Sequence, residues 1–443
     1  MFLRVILISL FISLFIVAPC QSSRLNVFLN IVNPTSDKII LKIKNISVRI
    51  DNRIISLQDF PQKISSRVDF GQEFLGWISF EKGVIDQLSI VLDKVSINGK
   101  LFSIEEKKIN LPVNYKILSK TSICLFVLWD IKASLKSEKF SPVFSLNIQR
   151  TPQRGDNLYI SCDDSSTIFV VRSDVNRVVA SLYIPSEPKS LDIDRFNDQL
   201  IVVSDKMRLL SIVDISALRL VDSFVLPIVN LPQYLFFIPR QSVIITDPVT
   251  SNVLLVDLSS GNLVVFKRLG YSPSDILFDY NLNKIFISSP RDQSVYILSK
   301  SLELLHKIKV GQRPRGMAIL GENFYVADPA TGMVDVFRVG SWDHLGRIYS
   351  GRGAVKVFSY IDRLYVSNEK EGTISVIFKN QMVVSKKIRV GKQPFTMTAS
   401  SKRGWLYVAL RGEKAIGIID LNSLKLIGKI SLGAKPFDLV LSE

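Results

Sequence analysis

Val310-Gly311-Gln312-Arg313-Pro314 leads into an apolar segment, and about ten residues later comes Tyr325-Val326-Ala327-Asp328. This stretch decides the fold, because it is one copy of a phrase that returns along the last two-thirds of the chain. A short loop ending in proline opens an apolar strand. A second strand follows, often written aromatic, Val, small residue, Asp or Asn. The marker proline recurs as Pro188, Pro232, Pro273, Pro314, Pro394 and Pro436, with Ala354 in the fifth copy, at spacings of 40 to 44 residues. A period in that range signals the blade of a β-propeller.

Each period holds signals for four short strands bounded by Asp, Asn, Gly, Ser or Pro. Asp247-Pro248-Val249-Thr250-Ser251-Asn252 is a polar turn after a second strand, and Val253 to Asp257 is a third. Leu304 to Val310 reads as a fourth. The last marker, Pro436, is followed by a first strand only, while Leu158-Tyr159-Ile160-Ser161 is a second strand without a first. Both ends therefore complete one blade, giving seven. Pairing the C-terminal strand with the strand at Tyr159 removes two exposed sheet edges.

The repeats Tyr325-Val326-Ala327-Asp328 and Tyr365-Val366-Ser367-Asn368, with Val390-Gly391-Lys392-Gln393-Pro394, resemble the Tyr-Val-Thr-Asn propeller repeat family, which is similar to surface-layer propellers. The resemblance covers about Gly155 to Glu443. It implies the propeller fold. For function it implies a range, since members include binding proteins, surface proteins and a few enzymes.

Residues 24–150 lack the period and read as a separate β-sandwich, with strands at Leu25 to Val32, Ile39 to Ile50, Val84 to Leu92 and Phe140 to Ile148. Thr35-Ser36-Asp37, Ile97-Asn98-Gly99-Lys100 and residues 136–139 read as turns. Gly83 to Leu92 followed by Gly99 and Ile109-Asn110-Leu111-Pro112 is similar to an uncharacterised β-sandwich domain of bacterial lipoproteins. Arg150 to Asp156 is the natural linker. The expected class is all-β, a sandwich followed by a seven-bladed propeller.

Residues 1–20 read as an export signal: Arg4, an apolar run from Val5 to Val17, then Ala18-Pro19-Cys20. The run is short for a bilayer-spanning helix, which takes about 20 residues. Cys20 resembles the lipid-attachment site of bacterial lipoproteins, but Pro19 departs from that pattern. Lipidation and simple cleavage near Cys20 both stand open. Cys124 and Cys162 are either one disulfide or two buried thiols.

The chain carries 56 Lys and Arg against 40 Asp and Glu, spread evenly. Such a balance in an exported protein points to an envelope protein, an anionic glycan or a cell-wall polymer as partner, with nucleic acid unsupported by any motif. Two histidines, His306 on a fourth strand and His344 in a loop, cannot build a multi-histidine metal centre. No metal or other cofactor is expected, and no catalytic Ser-His-acid set or phosphate loop can be argued. Asp163-Asp164 and Asp192 with Asp194 are paired carboxylates, read as turn or channel-lining acids rather than a glycosidase pair.

The marker loops and the turns after second strands share one face of a propeller. They gather Arg313, Arg315, Arg352, Lys356, Lys392 and Lys435 there as a lopsided basic rim, alongside Asp205, Asp247, Asp328 and Asn368. That rim suits a carboxylate- or phosphate-bearing partner. Cations on fourth strands, including Lys307, Lys309, Lys386, Lys387 and Arg389, read as edge protection. The leading expectation is an exported, non-catalytic binding or scaffold protein of the periplasm or cell surface, lipid-anchored if Cys20 is modified. A propeller enzyme of lactonase or dehydrogenase type is the alternative, and a structural role in a surface array is a third.

Overall fold

The computed structural model describes residues 22–135, 140–152, 155–239 and 242–443. The expected export signal with Cys20, and the turn at residues 136–139, lie outside them. The described chain is nearly all-β, arranged in many four-stranded antiparallel sheets, as a β-propeller requires.

Seven such sheets follow one another in the repeat region. The sheet built from Met317–Leu320, Asn323–Asp328, Met333–Arg338 and His344–Tyr349 is representative. Its second strand is buried almost throughout, because it faces a neighbouring sheet on both sides. This is why second strands read as continuous apolar runs instead of alternating ones. Fourth strands lie outermost and are largely exposed, as in Leu304–Lys309. The hydrophobic core is shared between sheets: Ile201, Val203 and Leu210 of the second pack on Leu235, Val243 and Ile245 of the third.

The first strand of each sheet touches the first strand of the next, and Pro436–Leu441 touches both Pro394–Ser400 and Pro188–Asp194. The seven first strands thus close a circle. Pro436–Leu441 pairs antiparallel with Asn157–Cys162, placing Tyr159 opposite Val440 and Ile160 opposite Leu439.

The preceding unit has two sheets around one core. One orders Val143–Ile148, Ser122–Asp130, Ser23–Val32 and Gln72–Phe80, with the central two strands parallel. The other is built on Ile39–Ile50 and Gly83–Ile97. Leu25, Val27, Leu125 and Val127 of the first meet Leu41, Val48, Leu88 and Ile90 of the second. Ile39–Ile50 has the expected bounds. The expected strand from Val84 runs on to Ile97, and the one from Phe140 begins only at Val143. The Asn98-Gly99 turn is made with both residues at positive φ. The strands Gln72–Phe80, Lys108–Ile117 and Ser122–Asp130 escaped the sequence reading. A bulge at Gly76 and Pro112 interrupt the first two patterns, and the third is apolar without alternation.

The two units are welded where the ring closes. The outer strand of the first repeat sheet, Arg177–Tyr183, meets two glutamine side chains. Gln72 accepts from Val178 N at 2.7 Å and donates to Val178 O at 3.0 Å. Gln149 accepts from Ser181 N at 2.9 Å and donates to Ser181 O at 3.1 Å. Each amide completes the edge as a neighbouring strand would. Phe28, Phe74 and Phe126 pack with Phe169 and Val178 in a common core. Arg24 stacks on Trp77 at 4.1 Å and donates to Gly433 O, reaching the seventh sheet. Cys124 and Cys162 both lie buried at this junction as free thiols. Burial pushes the Cys124 thiol up to about 12 and Cys162 well above its usual range.

Candidate functional site

The six rim cations divide into two groups. Arg313, Arg352 and Lys392 are exposed on the marker loops, and Lys435 is half-buried beside them. Their backbone N–H groups, rather than their charges, carry the local structure. Arg313 N donates to Asp328, Arg352 N to Glu371, Lys392 N to Glu413 and Lys435 N to Asp164. The Val-Gly-x-x-Pro loops explain their glycine here. At Gly391, with φ +138°, a Cβ would lie 2.5 Å from Glu413 Oε1. Asp247, Asp328 and Asn368 staple the loops and turns as expected of such residues.

Arg315 and Lys356 instead turn to the centre of the ring. Arg315 lies just before its first strand and Lys356 on its own, at one and two residues past the marker position. The same offsets in other sheets supply Lys189, Tyr234, Ser274, Asp275, Phe395 and Phe437. Phe437 lies 5.7 Å from Tyr234 and 5.5 Å from Phe395, ring centre to ring centre. Lys189 and Arg411 sit over Phe437 at 5.5 and 5.3 Å. Lys356 sits between the other two rings, 4.4 Å from Tyr234 and 5.0 Å from Phe395. Three cations therefore gather around three aromatic faces, an arrangement that attracts each of them through the ring quadrupole.

Most of these charges are paired. Lys356 Nζ donates to Asp275 Oδ1, spanning from the sixth sheet to the fourth. Arg411 Nη2 contacts Asp163 Oδ2 at 2.5 Å. Lys189 lies between Asp163 at 3.7 Å and Asp205 at 3.2 Å. Arg315 differs: its Nη1 donates to Ser274 Oγ at 2.5 Å and to Tyr234 Oη at 3.4 Å, so its partners are hydroxyls. Burial pulls the Lys356 ammonium down to about 8, opposed by Asp438 and reinforced by Arg411.

Satisfaction is incomplete among the described residues. Asp275 Oδ2, Asp163 Oδ1 and Arg411 Nε are buried without a hydrogen-bond partner. Each such atom costs about 1–3 kcal/mol when left unpaired. The cluster is not sealed, since Lys356 and Arg411 keep 14% and 16% of their side chains exposed.

Further along the first strands stand two more carboxyls, both half-buried. Asp192 accepts from Ile193 N and Phe237 N, and burial raises it to about 6. Asp438 accepts from Ser190 Oγ at 2.6 Å and is likewise raised by burial. Asp194 caps its own turn through Phe196 N and Asn197 N, so the Asp192 and Asp194 side chains do different jobs. His344 begins the strand His344–Tyr349 rather than lying in a loop, and its Nε2 is 3.0 Å from Asp335 Oδ1. Among the described residues no group of three or more metal-ligating side chains is present. Edge lysines pair with turn acids, Lys307 with Asp292 and Lys387 with Glu371, each at 2.9 Å.

Lys189, Arg411, Asp275 and the three rings were not singled out as site residues from sequence, whereas Asp163 was read there as a turn or channel-lining acid. The signal was there for Lys189, Ser274, Asp275, Phe395 and Phe437, at the two positions after each marker. Arg411 gives no such signal, because it reaches the centre from a turn after a second strand.

No family model matches this chain, and no curated protein matches it. Solved structures do. A provisionally assigned 6-phosphogluconolactonase from Bacteroides fragilis is 13% identical, with a TM-score of 0.57 over 65% of this chain and 97% of that one. A second protein so assigned, from Bacteroides uniformis, is 15% identical at a TM-score of 0.57, over 65% and 100% of the two chains. The dihydro-heme d1 dehydrogenase NirN, in complex with DHE, is 13% identical at a TM-score of 0.51, over 64% and 66%. These likenesses are to β-propeller proteins, and what they share with this chain is the β-propeller fold.

Proposed function

We propose that the repeat region is a seven-bladed propeller joined to an N-terminal β-sandwich, and that the mouth of its channel binds a small carboxylate- or phosphate-bearing molecule. The observation that carries this reading is Arg315, an inward-facing guanidinium whose partners are the hydroxyls of Ser274 and Tyr234 rather than carboxylates. A fork of unspent N–H donors in a largely buried, aromatic-walled place is suited to an acidic group. This moves the expected site inward, from an outer rim facing a polymer to a centre facing a small ligand. Export of the chain by a signal at residues 1–20 and an envelope setting belong to the same proposal.

The test is calorimetric titration of the mature chain with a panel of small carboxylates and inorganic phosphate. At least one acid should bind, and Arg315→Ala should weaken it about tenfold or more, about 1.4 kcal/mol. Arg313→Ala, on the exposed loop, should leave it unchanged. Failure of every acid to bind the folded protein would refute the reading.

A second reading, hydrolysis of a lactone, is favoured by the likeness to proteins provisionally assigned as 6-phosphogluconolactonases. Asp275 Oδ2 is an unpartnered acceptor that could take a proton from water. Acid release from a lactone panel, followed by titration at constant pH, tests it directly.

A further inference from the structure

A groove of about 1150 Å³ lies between the outer parts of the sixth and seventh sheets, away from the ring centre. We infer that it docks an extended acidic segment of a partner protein, laid along the strand Lys386–Arg389. The groove shares no lining residue with the proposed channel-mouth site and does not depend on it.

Charge selects an acidic partner. Two lining acids are already committed. Glu371 accepts from Lys387 Nζ at 2.9 Å and from Arg352 N at 3.0 Å. Glu413 accepts from Lys429 Nζ at 2.6 Å and from Lys392 N at 2.9 Å. Three lining cations are uncommitted: Lys370 on a turn, Arg389 at the end of the fourth strand and Lys392 on the marker loop. All three are exposed, and among the described residues their side chains make no ion pair or hydrogen bond. Glu369 is the one lining acid left against them, so the groove offers carboxylates an excess of positive charge.

Two features favour a peptide over a glycan or a free anion. One wall is a strand edge. Lys386–Arg389 is outermost in the sixth sheet and pairs only with Thr373–Phe378, so its far N–H and C=O groups are open to an added strand. Two cations that would guard this edge are turned elsewhere, Lys387 to Glu371 and Lys386 Nζ to Ser423 O at 3.1 Å. The matching strand of the seventh sheet, Lys425–Ser431, is already covered by the N-terminal unit: Lys429 N donates to Asp69 Oδ2 at 2.8 Å, and Gly428 lies against Phe70. The lining also holds Val390 and the half-buried Leu426. An apolar side chain suits them, and an anionic glycan or a free anion carries none.

The test is fluorescence polarisation of the full mature chain with a labelled hexapeptide, Asp-Glu-Leu-Asp-Leu-Glu, and with its counterpart carrying Asn and Gln in place of the acids. The acidic peptide should bind at least tenfold more tightly. Arg389→Glu should weaken it fivefold or more, whereas Arg313→Glu, the same charge change on another exposed marker loop, should weaken it twofold or less. Equal losses in the two variants would show attraction to net charge alone and overturn the inference. Peptides N-methylated on the two opposite sets of alternate amides should differ at least fivefold, because only one set faces the strand; equal binding would exclude strand addition. Polygalacturonate displacing the peptide as well as unlabelled peptide does, at equal carboxylate concentration, would assign the groove to a glycan instead. No binding of the acidic peptide would also overturn the inference and leave the Arg315 reading untouched. If Arg389→Glu fails to fold, as judged by circular dichroism, the peptide comparisons on the wild-type protein decide.

Discussion

Asp192 shows how a single residue records its place in this molecule. Its carboxyl is enclosed among first strands and accepts two backbone N–H bonds, yet burial outweighs them and raises it to about 6. The folded protein therefore holds a proton here up to about pH 6, whereas the unfolded chain releases it near 3.8. The burial penalty is absent at low pH and fully present above about 6. Asp192→Asn removes the charge. Its stability relative to wild type should rise by up to roughly 3 kcal/mol between pH 4 and pH 8, as a tenfold change in proton affinity is worth about 1.4 kcal/mol. Urea unfolding at the two pH values measures this, and a pH-independent difference would refute it.

At the level of elements, the strand Pro436–Leu441 carries more than its length suggests. It supplies the first strand of the first repeat sheet, and Asp438, Phe437 and their contacts at the ring centre come with it. Removing residues 437–443 opens the circle, exposes the edge of Asn157–Cys162 and deletes one wall of the proposed site. The shortened chain should be insoluble or lack a cooperative transition by differential scanning calorimetry. A soluble product melting within a few degrees of wild type would contradict this. The arrangement was legible because the last copy has a first strand and the opening copy has none. The strands of the N-terminal unit were only partly legible. Lys108–Ile117 carries Pro112, and Ser122–Asp130, buried on both faces, shows no period of two.

On the scale of the whole molecule, the N-terminal unit clasps the first and seventh sheets, the place where the ring is joined. Gln72 and Gln149 satisfy backbone groups of Val178, Ser181 and Cys124 that would otherwise be buried without partners. Leaving such groups unpaired costs about 1–3 kcal/mol each. The protein should therefore melt as one unit, and the double variant Gln72→Ala, Gln149→Ala should split the calorimetric transition in two. A single, unshifted transition in the variant would show that the apolar core around Phe28 and Phe169 suffices by itself.

The amino-acid sequence alone determined the repeat, its strand order and the way its ends meet, because a 40-residue period of turn residues and apolar strands is a local property. It also placed Arg315 and Lys356 among the candidates, since they follow the markers. Only the tertiary structure decided that these two face inward while Arg313, Arg352 and Lys392 face out. The positions after the marker line the ring centre, whereas Arg313, Arg352 and Lys392 sit on the exposed marker loops. Nor could any sequence pattern pair Lys356 with Asp275, 81 positions apart, or bring Arg411 to Asp163, 248 apart. Those contacts exist because seven separate sheets converge on one axis, and convergence is a property of the closed circle rather than of any copy within it.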